Sequence, residues 1–172
     1  MINGSKTPAA ERDCWRTPRW LFSWLNERFA FDVDLAADEN NALCAYFCTE
    51  ESDALAQPWH RVWLRGFLNC PYSNVDPWLD KAILEQQYGF MTVMVMPSPN
   101  GEDRFGQVFS HASEIIDIVG RVHFLRPDGT ECKQNTRGTS VYIFDPDRRG
   151  APCQRWWVSR DELIKRHGAK AA

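Results

Sequence analysis

Hydrophobic spacing divides the chain into alternating helical and extended segments. In "TPRWLFSWLNERF" the apolar residues Trp20, Leu21, Trp24 and Leu25 recur at helical intervals, and Thr17 followed by Pro18 reads as an N-cap and first helical position. The next stretch, "FAFDVDLAAD", alternates Phe29, Phe31, Val33 and Leu35 with Ala30, Asp32 and Asp34, the period of a strand. That strand leaves acid at its carboxyl end, a common ligand position in open α/β sheets. "ENNALCAYFCTEESDALAQPW" has no sustained period and is expected to mix a short helix with loop.

Two short apolar runs rich in β-formers, "VWLRGFLN" and "FMTVMVMPS", flank "VDPWLDKAILEQQYG". There Trp78, Leu79, Ala82 and Ile83 are spaced as on a helix and Gly89 supplies a stop. A strand, helix, strand unit with continuous apolar strands implies a parallel sheet covered on both faces. Downstream, "RFGQVFSHA" predicts a helix and "EIIDIVG" a strand. "RVHFLRPDGT" and "RGTSVYIFDP" predict an antiparallel hairpin with a basic loop, and "SRDELIKRHG" a closing helix capped by Ser159 with Glu162 at the capping-box position. The expected architecture is α/β: a mostly parallel sheet flanked by helices, with an antiparallel hairpin near the C-terminus. A chain of 172 residues, 44% of them hydrophobic, fits one domain, residues 1–172, with flexible ends at 1–14 and 168–172.

Composition narrows the possibilities. No run of 18 apolar residues occurs and the N-terminus lacks a signal pattern, so a soluble, intracellular protein with no membrane partner is expected. Six cysteines lack paired C-x-x-C spacing, and Cys44 and Cys48, even on one helical face, are too few ligands, so no metal is expected. The four histidines show neither a nucleophile partner nor ligand spacing. Trp15, Trp59 and Trp78 read as packing residues. The net charge of −3 hides an asymmetry: residues 1–119 carry −8 and residues 120–172 carry +5. The basic end matches a nucleic-acid backbone or a lopsided solvated surface equally well.

The most distinctive local chemistry is "GFLNCPYSNVDPW". Pro71 and Asn74 are ordinary turn residues, so the segment is at least a strand-to-helix turn. At a strand end, however, Asn69 and the main-chain carbonyl of Cys70 can accept both hydrogens of an exocyclic amine. Pro71 stiffens the turn, and Tyr72 offers a ring on which a flat base can stack.

"NCPY" resembles the N-P-P-Y motif of amino-methyltransferases. Together with "WRTP", "FDVDLAAD", "SDALAQPW", "VMVMP", "GRVHF" and "NTRGTSVYIF", it makes the chain resemble the phage-type DNA N6-adenine methyltransferases, the phage Dam family. The resemblance runs from about Trp15 to Phe144 and implies an abbreviated Rossmann-like methyltransferase fold. It also implies S-adenosylmethionine as cofactor, double-stranded DNA as partner, and the cytoplasm of a bacterial host as location. A phage or prophage context linked to restriction-modification, and GATC as the target sequence, are further implications. By resemblance, Thr17 and Pro18 lie against the methionine end of the cofactor, Asp34 near its methionine moiety and Asp53 near its adenine. Asn69, Cys70, Pro71 and Tyr72 form the catalytic turn around the target base. Arg104 and Arg137 are candidates for DNA.

The chain departs from the family pattern in Cys70, where proline is usual, and in the lack of a Gly-x-Gly loop after the first strand. It also has little room for strand-helix units between Asp38 and Val62, and leaves the ribose contact to Glu50 or Glu51. The same pocket logic admits cytosine N4, an RNA base or a protein glutamine as the methylated amine, and a non-catalytic DNA-binding relative remains an alternative.

Overall fold

The computed structural model describes residues 13–98, 104–133 and 137–168, with side chains given from Gly106 onward in the helix that begins at Arg104. The elements in chain order are α1 Arg19–Phe29, β1 Val33–Asp34, β2 Tyr46–Phe47, β3 Arg65–Leu68, α2 Asp76–Gln87 and β4 Met91–Pro97. There follow α3 Arg104–His111, β5 Glu114–Val119, β6 Thr139–Phe144, β7 Gln154–Ser159 and α4 Arg160–His167. Two 3₁₀ turns, Trp59–Arg61 and Pro146–Arg148, link them.

All seven strands form one sheet in the order β2-β1-β3-β4-β6-β5-β7. The first four run parallel, β6 inserts antiparallel between β4 and β5, and β7 adds parallel to β5. The expected mixed α/β architecture is therefore present. The side-chain period of two sorts the core into two layers. Val93, Val95, Val141, Ile143, Ile116 and Phe67 pack under Leu21, Leu25 and Phe29 of α1. Met94, Met96, Tyr142, Phe144 and Leu68 pack with Leu79 and Ala82 of α2 and Val108 of α3. Helices thus cover both faces, which is why β4 and β6 read as continuous apolar runs.

Several expectations are corrected. Pro18 is the N-cap of α1, with ψ 137°, and its carbonyl accepts from Leu21; the helix starts one residue later than predicted and Thr17 caps nothing. Phe29 belongs to the helix, which ends in the left-handed Ala30 (φ 50°), so only Val33–Asp34 of the alternating stretch is strand. Residues 39–59 contain only the two-residue β2 before the 3₁₀ turn, so Cys44 and Cys48 share no helical face. "RVHFL" does not pair with β6, because both edges of β6 are taken by β4 and β5. The chain turns out of the sheet at Gly120 (φ 101°) and forms its own short hairpin, bridging Leu125 to Glu131 and Leu125 to Arg16. β7, "QRWWVS", has no counterpart in the pattern, since its first four residues are exposed.

The core is locally tight at Gly66 of β3, where an added Cβ would come within 2.6 Å of Leu35 and 2.7 Å of Phe90. Among the described residues no helix is long and apolar enough to cross a membrane, and no group of three or more His, Cys, Asp or Glu is placed to hold a metal.

Candidate active site

The carboxyl ends of β1, β3 and β4 share one end of the sheet, and β6, being antiparallel, starts there. A cleft of about 820 Å³ opens at that end. Its walls include Thr17 from the segment before α1, Asp34 at the end of β1 with residues 35–38 after it, Thr49, Glu50 and Asp53 after β2, Asn69 and Pro71 after β3, and Pro127 of the hairpin. Residues far apart in sequence meet here because parallel strands deliver every carboxyl end to the same edge.

Asp34 is buried at the end of β1. Its carboxylate accepts the main-chain N–H of Leu43 at 3.1 Å and of Ala36 at 3.5 Å. Burial pushes its carboxyl up to about 6, against the lowering pull of those two N–H groups. Among the described residues its side chain is met by main-chain amides alone, and no cation pairs with it. It is thus a carboxylate held in place but not neutralised. Beyond it the rim is acidic: Asp38, Glu50 and Asp53 are exposed around the cleft, with Glu39 and Glu51 beside them. Asp53 closes a turn through its main-chain N–H to Thr49 and sits in the left-handed region at φ 47°, a conformation aspartate tolerates better than most residues.

On the opposite wall stands the Asn-Cys-Pro-Tyr turn. Asn69 donates its side-chain amide to the Trp15 carbonyl at 3.4 Å, while its Oδ1 is buried with no partner among the described residues. Cys70 is buried and Pro71 faces the cleft. Tyr72 lies to the β4 side: its hydroxyl donates to the Val95 carbonyl at 3.4 Å and its ring meets Phe124 edge-on at 6.0 Å. Burial holds its phenol well above the ordinary tyrosine range. The turn runs on into α2, whose first turn carries Asp76 and Pro77.

The segment 13–17 staples these parts together. Asp13 accepts from the Ser73 main chain at 3.0 Å and hydroxyl at 2.5 Å, Trp15 stacks on Phe124 with centroids 6.4 Å apart, and Arg16 exchanges main-chain hydrogen bonds with Leu125. Thr17, buried, and Pro18 follow directly.

Of the residues singled out from sequence, Thr17, Asp34, Asp53, Asn69 and Pro71 line one cleft. Cys70 and Tyr72 lie behind its wall, and Pro18 adjoins it as the cap of α1. Arg137 is exposed at the start of β6, on the same end of the sheet. Arg104 opens α3, with its side chain outside the described residues. Asp13 and Phe124 were not legible, because their partners Ser73 and Tyr72 lie far along the chain and no local pattern announces them. Trp15, expected as packing, does pack, and also lines the cleft.

A family model described as DNA N-6-adenine-methyltransferase (Dam) matches residues 4–170. The chain is 30% identical over 175 aligned residues to a DNA N-6-adenine-methyltransferase of Escherichia phage T1, covering 90% of this chain and 72% of that protein. It is 29% identical over 168 residues to a protein of the same description in Haemophilus phage HP1, covering 95% and 96%. A putative methyltransferase, YfdM, of Escherichia coli K12 is 42% identical over 71 residues, 38% of this chain and 74% of that one.

Proposed function

Because the chain belongs to the DNA N-6-adenine-methyltransferase (Dam) family, we propose that its cleft holds S-adenosylmethionine along the Asp34 wall and a flipped-out adenine of duplex DNA against the Asn69–Tyr72 turn. The reaction is methylation of adenine N6 in DNA. The carrying observation is Asn69 Oδ1 at the carboxyl end of β3, a buried acceptor with no partner among the described residues.

The residues fit the cofactor. A held carboxylate with no cationic partner, set in an acidic cleft of this volume, suits a ligand carrying both an ammonium and a sulfonium charge. When bound, S-adenosylmethionine supplies a methyl group made electrophilic by its sulfonium. Asp34 faces the methionine ammonium, Thr17 and Pro18 border that end, Asp53 lies by the adenine, and Glu50, which lines the cleft, takes the ribose hydroxyls in preference to Glu51.

On the substrate side, Asn69 Oδ1 and the Cys70 carbonyl each accept one N6 hydrogen. The N6 lone pair is delocalised into the ring. Drawing both hydrogens aside turns that lone pair toward the methyl group, and holding the two in line supplies much of the rate. An amide has no basicity to remove the proton, so Asn69 orients the amine, and the strongly acidic methylated N6 gives its proton to water after transfer. Pro71 fixes the turn, and Tyr72, behind the cleft wall in this structure, stacks on the base from the β4 side once the wall opens to admit it. Extracting the base from the stack costs a few kcal/mol.

Charge directs the approach of DNA. The rim formed by Asp38, Glu39, Glu50, Glu51 and Asp53 repels phosphates, whereas residues 120–138 carry Arg121, Arg126, Lys133 and Arg137 against only Asp128 and Glu131. The duplex therefore lies over the hairpin side, with Arg137 and Arg104 as phosphate or base contacts.

Incubating the protein with labelled S-adenosylmethionine and unmethylated duplex DNA, followed by nucleoside analysis, tests the reading. N6-methyladenine is expected; cofactor binding with no methylated base would overturn it.

A further inference from the structure

Besides Asn69, a second residue of the cleft wall holds a buried polar atom with no partner among the described residues. The indole Nε1 of Trp15 is buried and has no hydrogen-bond partner among the described residues. The two residues are neighbours, the Asn69 side-chain amide donating to the Trp15 main-chain carbonyl, and both line the cleft. A donor and an acceptor left unpaired away from water each cost free energy, and native proteins rarely keep such groups without a use. The indole is held as well as orphaned: it stacks on Phe124 at an interplanar angle of 15°, and Phe124 in turn meets the edge of Tyr72.

We propose that Trp15 is a specificity-determining residue for the target base, its Nε1–H donating to the ring nitrogen next to the amino group that Asn69 Oδ1 accepts from. This rests on the adenine-methylating reading above and extends it to how the base is chosen. Adenine presents an amino hydrogen beside a ring lone pair on both its N1 and its N7 sides, which is the complement of one acceptor and one donor. Guanine and thymine place a carbonyl oxygen where the amino group should be. Asn69 Oδ1 then faces another acceptor, and on their pairing edge Trp15 Nε1–H faces another donor. Both atoms of the pair are thereby left unsatisfied, the strongest form of rejection a pocket of this kind offers. Cytosine has the same order of groups as adenine, so the pair sorts amino bases from keto bases and leaves ring size to the rest of the pocket.

Both atoms lie beneath the cleft surface, so a base reaches them only as Trp15 and Asn69 part. The bond between them, 3.4 Å, is at the long end of the range and is cheaply given up. Once the base is in, the same burial excludes water from the two new hydrogen bonds and strengthens them.

The test pairs substrate analogues with a variant. Duplexes whose target adenine is replaced by 1-deazaadenine or 7-deazaadenine keep the amino group and lose one ring acceptor each. The intact protein is expected to lose about tenfold or more in kcat/KM on one of the two, as a buried N–H left facing C–H requires. Trp15→Phe keeps the ring on Phe124 and removes the donor, so its adenine-to-analogue ratio should fall to near one for that same analogue. Each ratio is taken within a single protein, so a smaller folded fraction cancels. Two outcomes overturn the assignment: the intact protein accepting both analogues like adenine, which needs no variant, or Trp15→Phe keeping the full penalty. Absence of methylation on ordinary adenine duplexes would instead bring down the functional reading itself, and this inference with it.

Discussion

The Asp34 carboxylate accepts the main-chain N–H of Leu43, nine residues further along the chain, at 3.1 Å, and so folds the loop after β1 back over its own strand end. The same burial that makes this clamp rigid raises the carboxyl to about 6 from 3.8. The folded protein therefore binds that proton more tightly than the unfolded chain does. Its contribution favours folding below about pH 4 and is lost as pH rises to about 6, leaving a penalty on the order of 3 kcal/mol at neutral pH.

Asp34→Asn should remove this penalty. Urea unfolding at pH 8 is expected to find the variant as stable as the parent or more so, while calorimetry finds its affinity for S-adenosylmethionine reduced at least tenfold. In the parent, cofactor affinity should decline below about pH 6 as Asp34 protonates. A variant that lost stability at pH 8 and kept cofactor affinity would contradict both halves.

Cys70→Ala should retain methyl transfer within a few-fold, because the group assigned to Cys70 is its carbonyl. Tyr72→Phe should also retain it, since among the described residues the hydroxyl's hydrogen bond is the long 3.4 Å one to Val95. Tyr72→Ala should lower kcat/KM for DNA by about a hundredfold, losing stacking on the base and packing on Phe124, with cofactor affinity unchanged. Steady-state kinetics beside calorimetry separates the cases; a requirement for the thiol would displace the backbone assignment.

Arg137→Glu is expected to weaken DNA binding across all sequences. It should also reduce the steepness of its salt dependence by about one unit in a plot of log affinity against log salt. Fluorescence anisotropy at several salt concentrations measures this. A loss confined to one sequence would make Arg137 a base contact.

Glu114, at the start of β5, is buried and accepts two hydrogen bonds from Arg28 of α1, at 2.8 and 2.6 Å, and one from Trp156 of β7. Burial alone would raise its carboxyl, but Arg28 and Trp156 hold it below the usual range. Its stabilising effect is present above about pH 4.5 and lost as pH falls through the lowered value. Arg28 is 42% exposed, so water takes over part of its role. Glu114→Ala should cost about 2 kcal/mol at pH 7 and less at pH 3, measured by denaturant titration at both.

What the sequence made legible was local. α1, α2 and α4 follow from helical spacing and caps, β4 from a continuous apolar run, and the Asn69–Tyr72 turn from four adjacent residues. What escaped was set by partners far away. "RVHFL" and "EIIDIV" are equally plausible arms for β6, and the choice is made only when β4 and β5 occupy both of its edges. β7 hides because exposed tryptophans on an edge strand leave no period to read. Trp15 and Asp13 carry no mark of the cleft, since their partners Asn69 and Ser73 lie 54 and 60 positions on.

Because β6 runs antiparallel to β5, the connection from Val119 to Thr139 leaves and re-enters the sheet at the same end, where the Asn69–Tyr72 turn also lies. A loop tethered at both feet by a fixed scaffold can lengthen at small entropic cost. On the proposed reading, its exposed residues can be rewritten without touching the Asn69–Tyr72 turn, provided Phe124 and Leu125, which hold Trp15, Tyr72 and Arg16, are kept.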